Sequence, residues 1–196
     1  MAAVKITPLL VGIVLVSLQS SNQKAIQTPL ERLQAKIDVV SVKGLTPLQV
    51  AGQFNNPSEE QKKLTPPMGE DSLFLFPDKT YIYTHVTDIP PDTISDKGTW
   101  SLDGDIVQLK SDKEVKWKSK WAERQYILVR RRGQDKELFA VGTERDLTYF
   151  DDHAKSDPSF MFLLNSLKRE RAIDEAETPA LRKKLMQEKW KPDFYR

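Results

Sequence analysis

The chain has 196 residues, with 30 basic and 28 acidic side chains, two histidines, no cysteine and a formal charge of +2. Without cysteine there is no disulfide, no thiolate metal site, no cysteine nucleophile and no lipid-modified cysteine. The near balance of charge argues against a dedicated nucleic-acid binder.

Residues 1–25 differ from the rest. Lys5 is the only charge before an uncharged run from Ile6 to Leu18, which is shorter than the roughly 20 residues of a membrane span. Polar Ser20, Ser21 and Asn22 follow. This is the layout of a signal peptide, so the chain is expected to be secreted or periplasmic, with an uncleaved N-terminal anchor as the alternative. The mature chain would be about 170 residues, enough for one domain with a sizeable core.

Residues 26–70 read as a partly helical N-terminal arm. Thr28-Pro29-Leu30-Glu31 and Thr46-Pro47-Leu48-Gln49 each match a capping box with proline at the first helical position. Ser58 to Gln61 gives a weaker third signal. Ile37 to Val42 could extend the first helix or form a strand, and its β-branched residues favour the strand.

Residues 71–196 read as one β-rich domain with C-terminal helices. Leu73 to Phe76 and Thr80 to Val86 flank Pro77-Asp78-Lys79, a turn. Next comes the strongest hairpin signal in the chain, Asp103-Gly104 between two alternating runs. With those two as loop residues, Trp100 faces Val107, and Trp100, Leu102, Val107 and Leu109 share a buried face. Glu114 to Trp121 alternates Val115, Trp117, Ser119 and Trp121 with lysines. Tyr126 to Arg131 and Glu137 to Val141 form a further hairpin, pairing Arg130 with Glu137 and Arg132 with Asp135. Helices are predicted from Asp157-Pro158, running through Leu167 into the charged residues 168–171, and from Thr178-Pro179. Leu181, Leu185, Met186 and Trp190 recur there at helical spacing.

Charge is uneven along the chain. Residues 70–105 carry eight acids and two lysines, and residues 113–136 carry nine bases and three acids. Neighbouring strands with complementary outer faces explain this, and a basic surface for an anionic envelope polymer is the alternative.

No motif for chemistry stands out. There is no Gly-x-Ser-x-Gly elbow, no paired histidines at helical spacing and no glycine-rich phosphate loop. His85 alternates with Tyr81 and Tyr83 and reads as structural. Asp151, Asp152 and His153 are the candidate metal or hydrolytic cluster. Read plainly, they are a loop of charge ahead of a helix N-terminus. Asp103 and Asp105 could imitate a glycosidase pair but belong to a turn. Trp117, Trp121 and Arg130 are the candidate ligand contacts, because aromatic faces beside bases stack on flat ligands. Alternation reads the two tryptophans as core. No cofactor is expected.

Phe76-Pro77-Asp78-Lys79-Thr80-Tyr81, followed by the Gly98-Thr99-Trp100 hairpin, resembles small lipocalin-like domains of exported bacterial proteins. Arg124 to Arg130 with Glu137 to Val141 is similar to the later strands of that group. The resemblance covers about residues 72–141. It implies an antiparallel sheet curling toward a barrel, and it carries over no catalytic residue.

The sequence therefore predicts an α+β domain: a curved antiparallel sheet, lipocalin-like or an incomplete barrel, with two C-terminal helices. The expected function is a non-enzymatic binding or envelope-accessory protein. Its partner would be another protein or an anionic envelope polymer, with no nucleic acid. The alternatives are a hydrolase built on loop carboxylates and His153, and a structural subunit of a larger envelope assembly.

Overall fold

The computed structural model describes residues 27–58, 61–62, 69–87, 93–112, 124–155 and 157–188. Among them are nine strands: β1 (Val39–Ser41), β2 (Gly52–Asn56), β3 (Gly69–Leu75), β4 (Thr80–Thr87), β5 (Thr93–Asp103), β6 (Ile106–Ser111), β7 (Gln125–Arg131), β8 (Phe139–Gly142) and β9 (Leu167–Ala172). The helices are α1 (Pro29–Gln34), α2 (Pro47–Val50), α3 (Arg145–His153), α4 (Pro158–Leu164) and α5 (Thr178–Glu188). None of these helices is long and apolar enough to cross a membrane.

Strands β2 to β9 pair antiparallel in chain order, and β9 pairs back onto β2. The result is a closed eight-stranded up-and-down barrel, consistent with a lipocalin-like barrel and not the incomplete one. β1 is the ninth strand. It pairs with Val129 to Arg131 of β7, while β6 pairs with Gln125 to Ile127 on the same side.

Closure depends on β9, which the sequence places inside a helix. Asp157 does cap α4, its carboxylate accepting from the Phe160 amide at 2.9 Å. The helix then stops at Leu164. Asn165 turns its amide back onto the Met161 carbonyl, and Asn56 donates to the carbonyls of Leu164 (2.7 Å) and Ser166 (2.9 Å). Residues 167–172 leave the helical path and fill the gap between β8 and β2, whose edges would otherwise be unpaired. Their charges find partners there, Lys168 on Glu137 at 3.0 Å and Arg171 on Glu177 at 2.7 Å. The C-terminal part therefore holds three helices and a strand where two helices were expected. Asp151, Asp152 and His153 form the last turn of α3 and not a loop.

Segment 26–70 supplies the two capped helices. Thr28 and Glu31, and likewise Thr46 and Gln49, exchange both capping hydrogen bonds. The segment is also built into the sheet through β1 and β2, so it is more than an arm leaning on the domain.

Two registers differ from the expected ones. In the β5–β6 hairpin Asp103 pairs with Ile106 and Trp100 with Leu109, so Gly104 and Asp105 form the loop. Gly104 has φ of +62° and Asp105 does not have positive φ, the pattern of a II′ turn with glycine first. The slip moves the turn by one residue and leaves the faces unchanged. Trp100 and Val107 are buried inside the barrel with Leu102 and Leu109 packed beside them. In the β7–β8 hairpin Val129 pairs with Phe139. Residues 132–138 make two successive turns, and turn length sets register. Arg130 therefore meets Asp135 (3.2 Å), Arg131 meets Glu137 (3.9 Å) and Arg132 meets Asp38 (2.8 Å).

The inner face is filled by large side chains, among them Phe54, Leu73, Tyr81, Tyr83, Trp100 and Tyr126. α2 closes one end, where Val50 joins this core. Arg169 ties that closure down by donating to the carbonyls of Gln49 (2.7 Å) and Ala51 (2.9 Å). Outside, Leu33, Leu147, Phe150 and Phe162 of α1, α3 and α4 cover the outer faces of β7 and β8. Leu185 of α5 covers Phe74, Phe76 and Ile82.

Candidate ligand site at the barrel mouth

α2 lies at the β3–β4 turn end of the barrel, where Gly52 pairs with Leu75, and the opposite end, where Asn56 pairs with Asp71, is built differently. β3 and β4 are joined by Pro77-Asp78-Lys79, where Lys79 takes φ of +63° and its amide reaches the Phe76 carbonyl at 3.0 Å. From that turn the register runs outward as Leu75 on Tyr81, Leu73 on Tyr83 and Asp71 on His85. Since alternate residues share a face, Asp71, Tyr83 and His85 all point inward at the mouth. Asp71 Oδ1 lies 2.9 Å from His85 Nδ1, and the Tyr83 hydroxyl donates to the same oxygen. Burial, then the Asp71 charge, pushes the Tyr83 hydroxyl well above its ordinary value, so it stays a donor.

The first turn of α3 supplies Arg145 and Asp146. Arg145 Nε and Nη2 both reach Asp146 Oδ1, at 3.2 and 3.1 Å. Burial alone would lower the Arg145 pKa. The charge of Asp146, with Asp71 behind it, outweighs burial and holds the guanidinium charged. One turn further along α3, Tyr149 is 48 % exposed. The third wall is the α4–β9 junction that Asn56 fixes. Together these elements enclose a cavity of about 260 Å³, with Asp71, His85, Tyr126, Arg145, Tyr149 and Leu164 among its lining.

A second buried polar group lies beside it on β5. Asp96 pairs in register with Tyr83. Its carboxylate accepts from the Tyr81 hydroxyl (2.9 Å), the Ser111 hydroxyl (2.6 Å) and the Lys97 amide (2.8 Å). Burial raises the Asp96 pKa in spite of these bonds.

The residues singled out from sequence do not form this site. Trp117 and Trp121 lie outside the described residues. Arg130 is near the other end of β7, paired with Asp135. Asp151 is held by Arg32 and by Lys36, the latter at 3.2 Å. Asp152 is exposed, and the His153 ring stacks on Tyr149 with centroids 4.0 Å apart. Among the described residues no three carboxylate or imidazole groups converge as a metal site would need.

Asp71 is the residue that sequence reasoning misses, because the apolar pattern starts the strand only at Leu73, while the strand itself starts at Gly69. The signal was available. Extending the register of the Pro77 turn by two further pairs puts Asp71 opposite His85. Arg145 carried no local signal, since Glu144 at the start of α3 makes no side-chain cap. Comparison of the chain with protein-family models, with curated proteins and with solved structures found no match.

Proposed function

We propose that this chain is an exported, non-catalytic binding protein of lipocalin-like type that takes a small molecule at the barrel mouth. The observation behind this reading is the mouth cavity, open at one end of a barrel whose other end is plugged. An eight-stranded barrel has room for packed side chains or for one small ligand. Here aromatic residues fill the interior and the free volume is at the mouth. A few convergent polar groups among apolar walls are what small-molecule sites have in common. The volume is below the roughly 300–1,000 Å³ of drug-sized sites, so the ligand is compact. Export rests on the leader at residues 1–25, with secretion or the periplasm as its destination. A fragment screen read by amide chemical shifts tests the binding reading. Hits should cluster on Asp71, Tyr126, Arg145 and Tyr149. Hits confined to the outer helices, or none, would overturn it.

The contact between Asp71 and His85 favours a second reading, acid–base catalysis with Asp71 orienting the imidazole. It would replace the first if the chain turned over a ligand that it binds and His85→Ala stopped turnover without preventing binding.

A further inference from the structure

We infer that the mouth cavity takes a small organic cation, an ammonium group carried on a compact apolar body. This rests on the binding reading above and names its ligand class. Among the described residues two carboxylates, Asp71 and Asp146, line the cavity against one guanidinium, Arg145. The two carboxylates are also differently placed. Asp146 Oδ1 is taken up by both Arg145 contacts, at 3.1 and 3.2 Å. An entering anion would have to share the guanidinium with that carboxylate and sit near Asp71, which lines the same cavity. Like charges at such range in a partly desolvated site repel strongly.

Asp71 offers the opposite. Its Oδ1 takes both the Tyr83 hydroxyl and His85 Nδ1. Its Oδ2 accepts no hydrogen bond from the described residues, and the side chain keeps 24 % of its surface exposed. The carboxylate is thus held by one oxygen, with the other left for a ligand donor. Charge-assisted bonds of this kind are about twice as strong as neutral ones. Tyr83, Tyr126 and Tyr149 supply aromatic rings around the same space, and such rings attract cations and repel anions through their quadrupole. Leu164 and Leu167 give the apolar body its surface. The ammonium could belong to a free amine or to a lysine side chain of a peptide, and the two present the same head.

The test uses the full chain and a matched set of probes, followed by calorimetry and amide chemical shifts. Phenethylammonium, phenethyl alcohol and 3-phenylpropionate differ only in the charge and chemistry of the head group, and Nα-acetyl-lysine methylamide represents the peptide source. The expected result is that phenethylammonium shifts the Asp71, Tyr126 and Tyr149 amides and binds at least about tenfold more tightly than the alcohol, with no binding of the propionate. The lysine probe binding as well would assign the ammonium to either source, and its failure would assign it to free amines. Asp71→Asn should cost about tenfold for the ammonium and nothing for the alcohol. Asp152→Asn removes the same charge from exposed α3 surface and should change neither. Should Asp71→Asn fail to fold, the order of the probes on the unaltered chain still decides. The alcohol or the propionate binding as well as phenethylammonium, with shifts at the cavity, would overturn the cation and leave the binding site standing. No shift at the cavity with any probe at millimolar concentration would overturn both.

Discussion

At the scale of single residues, the barrel interior combines tightly packed aromatics with a few committed polar groups. Trp100 is 3 % exposed, and its indole N–H donates to the Phe76 carbonyl at 3.0 Å. Trp100→Ala removes a large buried ring and one of the two donors to that carbonyl, the Lys79 amide being the other. The expected loss is about 3–5 kcal/mol by denaturant unfolding; a loss under about 1 kcal/mol would mean that the cavity collapses freely or the site is wet. Asp96 tests electrostatics. Burial lifts its pKa above the ordinary 3.8, while the Ser111, Tyr81 and Lys97 bonds pull the other way. The folded state therefore holds the proton more tightly than the unfolded chain. Its contribution to stability is fully present below the unfolded value and is lost as pH rises through the folded one. Asp96→Asn cannot titrate. Its stability relative to the parent should rise as pH increases past the unfolded value and level off once pH exceeds the folded one. Urea unfolding at several pH values measures this, and a difference independent of pH would show that burial does not govern this carboxyl.

At the scale of elements, what could be read from sequence was what local chemistry decides. Both Thr-Pro capping boxes start helices, because the cap and the fixed proline φ act within four residues. The Trp100 face is legible although the turn lies one residue further on, because a slip of one loop residue at a hairpin changes register by two and keeps parity. Elements decided by distant partners were not legible. β9 has a helical composition and becomes a strand because two barrel edges accept it. The mouth was half legible. Tyr81, Tyr83 and His85 alternate in plain view, but Asp71 needed the hairpin register, and Arg145 needed the packing of α3. Gly98 shows how tightly the strands impose themselves. A Cβ there would stand 2.0 Å from the Lys110 carbonyl oxygen and 3.0 Å from the Asp112 nitrogen, both backbone atoms. Neither can give way without moving β6. Gly98→Ala should therefore cost ~3 kcal/mol, in the range of overpacked cores. Less than about 1 kcal/mol in the same unfolding assay would mean that β6 shifts easily.

At the scale of the whole molecule, the barrel is closed unevenly. β3 and β4 share seven register pairs, and so do β4 and β5. β8 and β9 share two, Phe139 with Lys168 and Ala140 with Leu167. On the far side of β9, its ladder with β2 is interrupted by a register shift between Gln53 and Phe54. The seam is reinforced by side chains, the Lys168–Glu137 ion pair at 3.0 Å and the Asn56 bonds to the α4–β9 junction. The partly exposed ion pair contributes modestly and weakens with salt. Backbone protection follows the hydrogen bonds and burial that must be broken to expose an amide, so opening begins where the ladder is shortest. The β8–β9 seam should accordingly open before any other part of the barrel. Native-state hydrogen exchange should show the amides of residues 167–172 exchanging well before those of β3 and β4, with the gap widening at high salt as the Lys168–Glu137 pair is screened. Equal protection of β9 and the β3–β4 ladder would mean that the barrel opens only by global unfolding, and would remove the seam as a weak point of the fold.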